Sequence, residues 1–244
     1  MKTIAIITAR GGSKRIPKKN IKFFAGKPVI AYAIEACIES GIFDEVMVST
    51  DCLEIAEISK QSGANIPFLR SEKTSDDFAT TYDALEEVIY EYKKQGKEFE
   101  IICCIYPCVP LLKSNSLTEA YAQMQEKDAN AIMPVCKYPV PIEWAMKLED
   151  GVLIPNDREA LNIRSQDIET KYFDVGMFYF CKKELMLKYK SLVPENTLGY
   201  IIDESQCQDI DTEEDWKIAE MKYKIIKVSM KKSKYSTFKK SNKF

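Results

Sequence analysis

The run Ile4-Ala5-Ile6-Ile7 ends at Thr8-Ala9 and passes straight into a polar loop with two adjacent glycines, Gly11 and Gly12. Four apolar residues without alternation describe a strand buried on both faces, the condition of an inner strand in a parallel sheet. Past the loop, Pro28 opens a segment in which Val29, Ile30, Ala33, Ile34, Cys37 and Ile38 recur at helical spacing and stop before Gly41. Strand, loop and helix in this order point to an α/β architecture.

The rhythm continues. Residues 46–50 read as a second buried strand, 55–62 as a helix closed by Gly63, 67–70 as a short extended piece and 80–94 as a helix. Residues 101–106 form the most apolar strand, followed by a loop with prolines, a helix over 116–127 and a strand over 131–135. Strands alternating with helices predict a doubly wound, mostly parallel sheet. At Tyr138 the pattern breaks into an excursion over 138–171, with a hairpin turning at Glu149-Asp150-Gly151. A strand over 174–181 returns to the sheet, and a helix over 212–223, capped by Thr212 with Glu214 and Asp215 in its first turn, closes a domain of residues 1–223.

Composition narrows the chemistry. Basic and acidic side chains number 35 and 37, a net charge of −2. Residues 224–244 hold eight lysines and no acid, which leaves the body at about −10. No global field recruits nucleic acid or a membrane, so an anion must be bound locally; the lysine-rich tail, without a clear apolar face, is expected to be disordered. Histidine is absent, which removes the commonest general base, Ser/His and Cys/His nucleophilic machinery and most zinc sites. The eight cysteines lie mostly in apolar runs without Cys-x-x-Cys spacing and read as reduced core thiols. The chain opens on a strand with no signal-like apolar core, and no run approaches a membrane span, so a cytoplasmic protein is expected.

Residues 9–20 carry five cations, Arg10, Lys14, Arg15, Lys18 and Lys19, around the two glycines. Such a loop suits a polyphosphate: glycine lets backbone N–H groups approach phosphate oxygens, and a cation a few ångströms away contributes about 4 kcal/mol at an effective dielectric of 20. Its place beyond the carboxyl end of a buried strand favours this over a merely solvated basic loop. Asp209 and Asp211 share one side of an extended segment and fit a hard divalent cation, or equally the acidic start of the following helix. Arg158 and Arg164 fit a carboxylate fork or surface ion pairs. Asp76 and Asp77 read as loop solvation, a helix cap or ligand contacts, and Tyr106 and Tyr179 as core, lid or ligand contacts.

These segments together resemble the cytidylyltransferases that activate nonulosonic and related 3-deoxy-sugar acids. The resemblance is carried by Arg10-Gly11-Gly12-Ser13-Lys14, Lys19-Asn20, Gly26-Lys27-Pro28, Ser49-Thr50-Asp51, Arg70, Pro110-Leu111, Arg164-Ser165-Gln166-Asp167 and Asp209-Ile210-Asp211, and covers about residues 3–223. Tyr106, Val140-Pro141-Ile142 and Tyr179 are similar to the pseudaminic acid branch.

The resemblance implies a Rossmann-like fold of the nucleotidyltransferase, glycosyltransferase-A-like kind and a reaction in which the anomeric 2-hydroxyl of a nine-carbon sugar acid attacks the α-phosphate of CTP. It implies that Arg10, Ser13 and Lys14, with the N–H groups of Gly11 and Gly12, hold the β- and γ-phosphates, that Ala9 is a further substrate contact, that Lys19 and Asn20 approach the α-phosphate and ribose, and that Asp209 and Asp211 bind Mg2+. Arg70, Asp76, Tyr106, Arg164, Gln166 and Tyr179 are the remaining expected substrate contacts, with Arg10, Lys14, Lys19 and Asp211 closest to the chemistry. It further implies a homodimer built by the excursion and a product used in surface-glycan synthesis, flagellin glycosylation included. Rival readings are a sialic, legionaminic or octulosonic acid enzyme, a sugar-1-phosphate nucleotidyltransferase, and a nucleotide-sensing module without catalysis.

Overall fold

The computed structural model describes residues 1–13 and 15–241, with side chains as far as residue 228. Ile4, Ala5, Ile6 and Ile7 are fully enclosed in β1 (Thr3–Thr8), as an unbroken apolar run requires. The cationic loop then leads through a 3-10 turn at Lys19–Ile21 to a small ribbon of β2 (Phe23–Phe24) and β3 (Lys27–Pro28). Helix α1 (Val29–Ser40) follows Pro28 and stops at Gly41, whose φ of 67° is the left-handed C-terminal conformation that glycine adopts freely. Next come β4 (Glu45–Ser49), α2 (Leu53–Gln61) and α3 (Thr81–Lys94), the last opened by a capping box between Thr80 and Asp83. The extended piece expected over 67–70 is not a strand; its end is held by the Arg70 N–H donating to the Thr50 carbonyl at 2.8 Å.

Strand β5 (Ile101–Ile105) is buried at all five positions, and α4 (Ser114–Glu126) and β6 (Ala131–Lys137) follow. The excursion contains β7 (Met146–Glu149) and β8 (Val152–Pro155), a separate two-stranded sheet. Asp150 and Gly151 turn it with φ of 49° and 80°, the two positive angles that a two-residue hairpin loop needs. The single strand expected over 174–181 is instead two, β9 (Tyr172–Asp174) and β10 (Phe178–Lys182), parted at Gly176 with φ of 63°. The chain ends with α5 (Lys183–Tyr189), β11 (Thr197–Ile201) and α6 (Glu213–Ser241).

Where the sequence leads to a tail without regular structure, helix α6 runs on to Ser241, and residues 242–244 lie outside the described residues. From Glu213 onward the sequence has neither glycine nor proline, and lysine is a good helix former. Among the described residues no helix is long and apolar enough to cross a membrane.

The strands run in the order β11, β6, β10, β5, β1, β4, with β9 also on β6. Pairs β1 with β4, β1 with β5, and β6 with β11 are parallel; β10 is antiparallel to both neighbours. Alternation along β1 sends Ala5 and Ile7 into a core shared with α1 and α4, and Ile4 and Ile6 into one shared with α3 and Met186 of α5. Helices therefore cover both faces. From β1 the chain crosses to β4 on one side, and from β5 it crosses towards β6 on the other. The carboxyl ends of adjacent β1 and β5 thus form the switch point where open α/β sheets bind ligands.

Candidate active site

The loop leaving β1 is anchored before it is charged. Ile16 is fully buried with Phe24, Val29, Tyr32, Ile210 and Trp216, so α6 and the β2–β3 ribbon hold the middle of the loop. The Ala9 N–H donates to the Ser49 carbonyl at 2.9 Å, and the Gly11 N–H to Asp51 Oδ1 at 2.8 Å. A Cβ on Gly11 would stand 3.0 Å from the Cys52 Cβ, whereas one on Gly12 would meet nothing within 4 Å. Gly11 is thus needed for close approach to the start of α2. Its N–H, expected to face phosphate, is engaged by Asp51 here, while exposed Gly12 sits at the open part of the loop. The Ser13 N–H donates to the Gly11 carbonyl at 3.0 Å. Lys14 lies outside the described residues.

Asn20, only 7% exposed, donates from Nδ2 to the Arg10 carbonyl at 2.8 Å and accepts the Cys108 thiol at 3.3 Å. Its amide therefore fixes the loop from within rather than pointing outward to a ribose. Burial pushes the Cys108 thiol up to about 12, which keeps it a neutral donor. Cys52 and Cys108 are the two partly exposed cysteines; the other six are buried, and all eight are free thiols.

Carboxylates from three other segments meet the cations. Arg10 Nη1 donates to the Asp76 carbonyl at 2.9 Å and to Asp77 Oδ1 at 3.1 Å. Arg15 Nη1 lies 2.7 Å from Asp211 Oδ2, and Lys19 Nζ lies 2.6 Å from the Ile210 carbonyl and 3.5 Å from Asp211 Oδ1. Lys18, with a left-handed φ of 52°, pairs with Glu54 at 2.6 Å. The Arg10, Arg15 and Lys18 pairs are exposed and add little stability, so these cations can exchange partners for an anionic ligand; the Lys19 contacts are part-buried. A cavity of about 80 Å³ lies among Arg10, Gly11, Ser13, Lys18, Lys19 and Cys52. A larger cleft of about 670 Å³ adjoins the 71–79 loop, but Asp76, Asp83, Glu86, Glu87 and Glu91 line it with only Lys73 as a cation, a field that repels a triphosphate. Asp76 itself caps the loop, its Oδ1 accepting from the N–H groups of Phe78 and Ala79 at 2.9 and 2.7 Å.

Asp209 and Asp211 converge on the same place. Desolvation and then the Asp211 charge raise the Asp209 carboxyl above its ordinary range, while Lys19 opposes them. Among the described residues no set of three or more acidic, cysteine or histidine side chains could hold a metal. Two carboxylates completed by phosphate oxygens and water nevertheless suit magnesium, which seldom uses an all-protein cage.

On the other side of the switch point, Tyr106 stands at the end of β5 with its ring 5.7 Å from that of Tyr179. Tyr179 is 5% exposed and donates its phenol to Asp174 Oδ2 at 2.7 Å. Arg70 donates from Nε to Ser49 Oγ at 2.9 Å and from Nη2 to the Ser49 carbonyl at 2.7 Å. Burial lowers its pKa, against the opposing charges of Asp51 and Glu87. Arg70 thus braces the end of β4. Arg158, Arg164 and Gln166 are exposed on the excursion, where Gln166 lines a separate cleft of about 280 Å³ with Tyr138 and Lys171. Among the described residues no hydrogen bond or ion pair joins Arg164 or Gln166 to the cationic loop. Asp174 was not anticipated from the sequence; its signal is an Asp two residues before a glycine at a strand break.

Comparison with known proteins identifies the family. Residues 4–227 match the family described as Cytidylyltransferase. The chain is 37% identical over 226 residues to a pseudaminic acid cytidylyltransferase of Campylobacter jejuni, covering 92% of this chain and 97% of that one. It is 29% identical to the CMP-N,N'-diacetyllegionaminic acid synthase of Legionella pneumophila, covering 90% and 95%. In fold it is similar to a CMP:2-keto-3-deoxy-manno-octonic acid synthetase complexed with CTP, with a TM-score of 0.65 at 17% identity, covering 91% and 98%. A 4-diphosphocytidyl-2C-methyl-D-erythritol synthase from Anaerococcus prevotii is similar with a TM-score of 0.61 at 15% identity, covering 91% and 98%. A cationic glycine loop at the switch point of a doubly wound sheet, matched by sequence along nearly the whole chain, makes this protein a member of the cytidylyltransferase family.

Proposed function

We propose that the protein transfers CMP from CTP to the anomeric 2-hydroxyl of pseudaminic acid. The sugar hydroxyl gives up its proton to solvent, its oxygen bonds to the α-phosphorus, the bond from that phosphorus to its bridging oxygen breaks, and pyrophosphate leaves with the electron pair. The observation that carries this reading is the 37% identity to the Campylobacter enzyme over 92% of the chain. The aromatic Tyr106–Tyr179 pair supports it on the sugar side.

In this reading Arg10, Arg15 and Lys19 exchange their carboxylate and carbonyl partners for phosphate oxygens. Positioned cations at the leaving pyrophosphate stabilise charge that develops in the transition state. Ser13 and Lys14 belong to the same loop and are assigned the same phosphates. Asn20 and Ile16 keep the loop in place during the exchange. Asp209 and Asp211 would hold magnesium, which supplies charge neutralisation on the phosphates and acidifies a bound hydroxyl. Asp211 pairs with Arg15 and Lys19 before that exchange. Inhibition by EDTA with recovery on added magnesium, together with loss of turnover in Asp209→Asn, tests the assignment; full turnover in EDTA rejects it.

The excursion is proposed as a dimer contact. Leu148, Val152 and Leu153 are 69%, 62% and 61% exposed on a hairpin outside the main sheet, and such a hairpin is at best marginally stable in water without something to pack on. Arg158, Arg164 and Gln166 ride on it and would reach a sugar carboxylate from the second subunit. The reaction is assigned to the cytoplasm.

Pyrophosphate release from CTP with a panel of sugar acids tests the substrate. Pseudaminic acid ends in a methyl group, and sialic acid in a hydroxylated chain whose burial against Tyr106 without partners costs about 1–3 kcal/mol per hydroxyl. The expected preference for pseudaminic acid is at least about a hundredfold in kcat/KM. Equal turnover of sialic acid defeats this specificity, and CTP binding without pyrophosphate release with any acid makes the protein a sensing module.

A further inference from the structure

The chain directly after β5 places Tyr106 at the carboxyl end of the sheet, partly exposed. Its N–H donates to the Met177 carbonyl at 3.0 Å. Two carbons of its ring lie 3.8 Å from where a Cβ on Gly176 would stand, and its ring meets Tyr179 edge-on at 64°. These three supports come from a single stretch, the turn at 175–177 and the strand β10 that follows it.

Asp174 organises that stretch with both carboxylate oxygens. Oδ1 accepts the Gly176 N–H at 2.8 Å and closes the turn; Oδ2 accepts the Tyr179 phenol at 2.7 Å. The second bond is charge-assisted, a class about twice as strong as neutral hydrogen bonds, and it is the polar tie of a ring that is otherwise buried. Burial first, and this bond second, push the Tyr179 phenol well above its usual range, so that it stays a neutral donor. Burial also raises Tyr106, while Thr81 at the start of α3 and the Tyr179 phenol favour its ionised form. A line of contacts runs from Asp174 through Tyr179 to Tyr106.

We propose that Asp174 is a positioning residue for sugar-acid recognition, acting through Tyr179 to hold Tyr106 at the mouth of the site. The inference rests on the reading of the protein as a sugar-acid cytidylyltransferase. It separates two functions in space: the Asp174 line governs the acceptor end, and the cationic loop governs the nucleotide end. Asp174 makes no hydrogen bond or ion pair with the loop among the described residues, so disturbing it is expected to spare CTP.

Steady-state kinetics on the full chain, with CTP and pseudaminic acid varied in turn, provide the test. Asp174→Ala and Tyr179→Phe are each expected to raise KM for the sugar acid about tenfold and to leave KM for CTP within about twofold. The double variant is expected to be no worse than the poorer single one, since both changes cut the same line. Asp174→Asn keeps one acceptor, for the Gly176 N–H, and can turn its amide N–H toward the phenol oxygen, so it should recover part of the loss. If Asp174→Ala does not fold, Tyr179→Phe and Asp174→Asn carry the same comparison. An unchanged sugar KM, a parallel rise in the CTP KM, or full additivity in the double variant overturns the inference alone. A wild-type protein that turns over no sugar acid overturns the inference together with the reading beneath it.

Discussion

Asn20 donates its side-chain amide to the carbonyl of Arg10 across 2.8 Å, tying the two ends of the cationic loop together. Removing that donor in Asn20→Ala leaves a partly buried carbonyl without its partner, a cost of about 1–3 kcal/mol. The melting temperature is expected to fall and KM for CTP to rise, and Asn20→Asp, which cannot donate at neutral pH, should do the same. Thermal denaturation run beside CTP kinetics checks both.

The two glycines differ in what they allow. Gly11→Ala sets its Cβ 3.0 Å from that of Cys52, and the loop or the start of α2 must yield. A drop of about tenfold or more in kcat/KM for CTP is expected there, against less than about threefold for Gly12→Ala, which keeps its N–H and meets no neighbour. Equal effects at the two positions would show that close packing on Cys52 is not what Gly11 provides.

Glu87 makes stability depend on pH. Burial tends to raise its carboxyl, but hydrogen bonds from Thr74 and Ser71 and the charge of Arg70 outweigh it, and the net shift is below the ordinary value of 4.5. A carboxylate held lower in the folded state stabilises the protein above its unfolded value and loses that contribution as pH falls through the folded one. Glu87→Gln should therefore melt earlier than wild type at pH 7, with the gap narrowing below about pH 4. Melting curves over pH 3–7 read this directly; a constant gap would mean that packing, not charge, is lost.

The end of α6 divides at residue 223. Lys222 Nζ donates to the Glu204 and Cys207 carbonyls at 3.1 and 2.7 Å, and Tyr223 packs on Phe24 and Tyr32 with ring centroids 5.5 and 5.3 Å away. Deleting residues 229–244 is expected to leave melting and activity nearly unchanged. Deleting from Lys222 onward should lower the melting temperature by several degrees, about the effect of 1–3 kcal/mol in a domain of this size.

Much of this fold was legible because its signals are local. The Ile4–Ile7 run, the Pro28 and Gly41 punctuation of α1 and the Asp150-Gly151 turn each state their element within a few residues. The division of β9 from β10 was not legible: Val175, Met177 and their neighbours keep the apolar run going, and only Gly176 marks the turn. The antiparallel direction of β10 follows from how the excursion returns, which no periodicity records. Within the site, the loop's composition announced an anion, but its partners stand far off in sequence. Arg10 reaches Asp76 and Asp77, Arg15 reaches Asp211, and the Gly11 N–H expected for phosphate meets Asp51. Long-range pairing of side chains leaves no local trace. Asp174 was missed for a different reason: its partners Gly176 and Tyr179 are near in sequence, but the run around them reads as one unbroken strand.

The position of β10 bears on how the chain acquires its structure during synthesis. It lies between β5 and β6, yet it is made after both and after the whole excursion. Until Phe178–Lys182 emerges, the hydrogen-bonding edge of Ile101–Ile105 and the Ala131–Ile132 end of β6 face an open slot one strand wide. Two unpaired apolar edges of this kind invite pairing with other nascent chains. The centre of the sheet closes only when β10 slides in antiparallel, so the last piece of the acceptor wall to be translated also joins the two halves of the sheet, and the outer edge of β6 is left for β11 to cover.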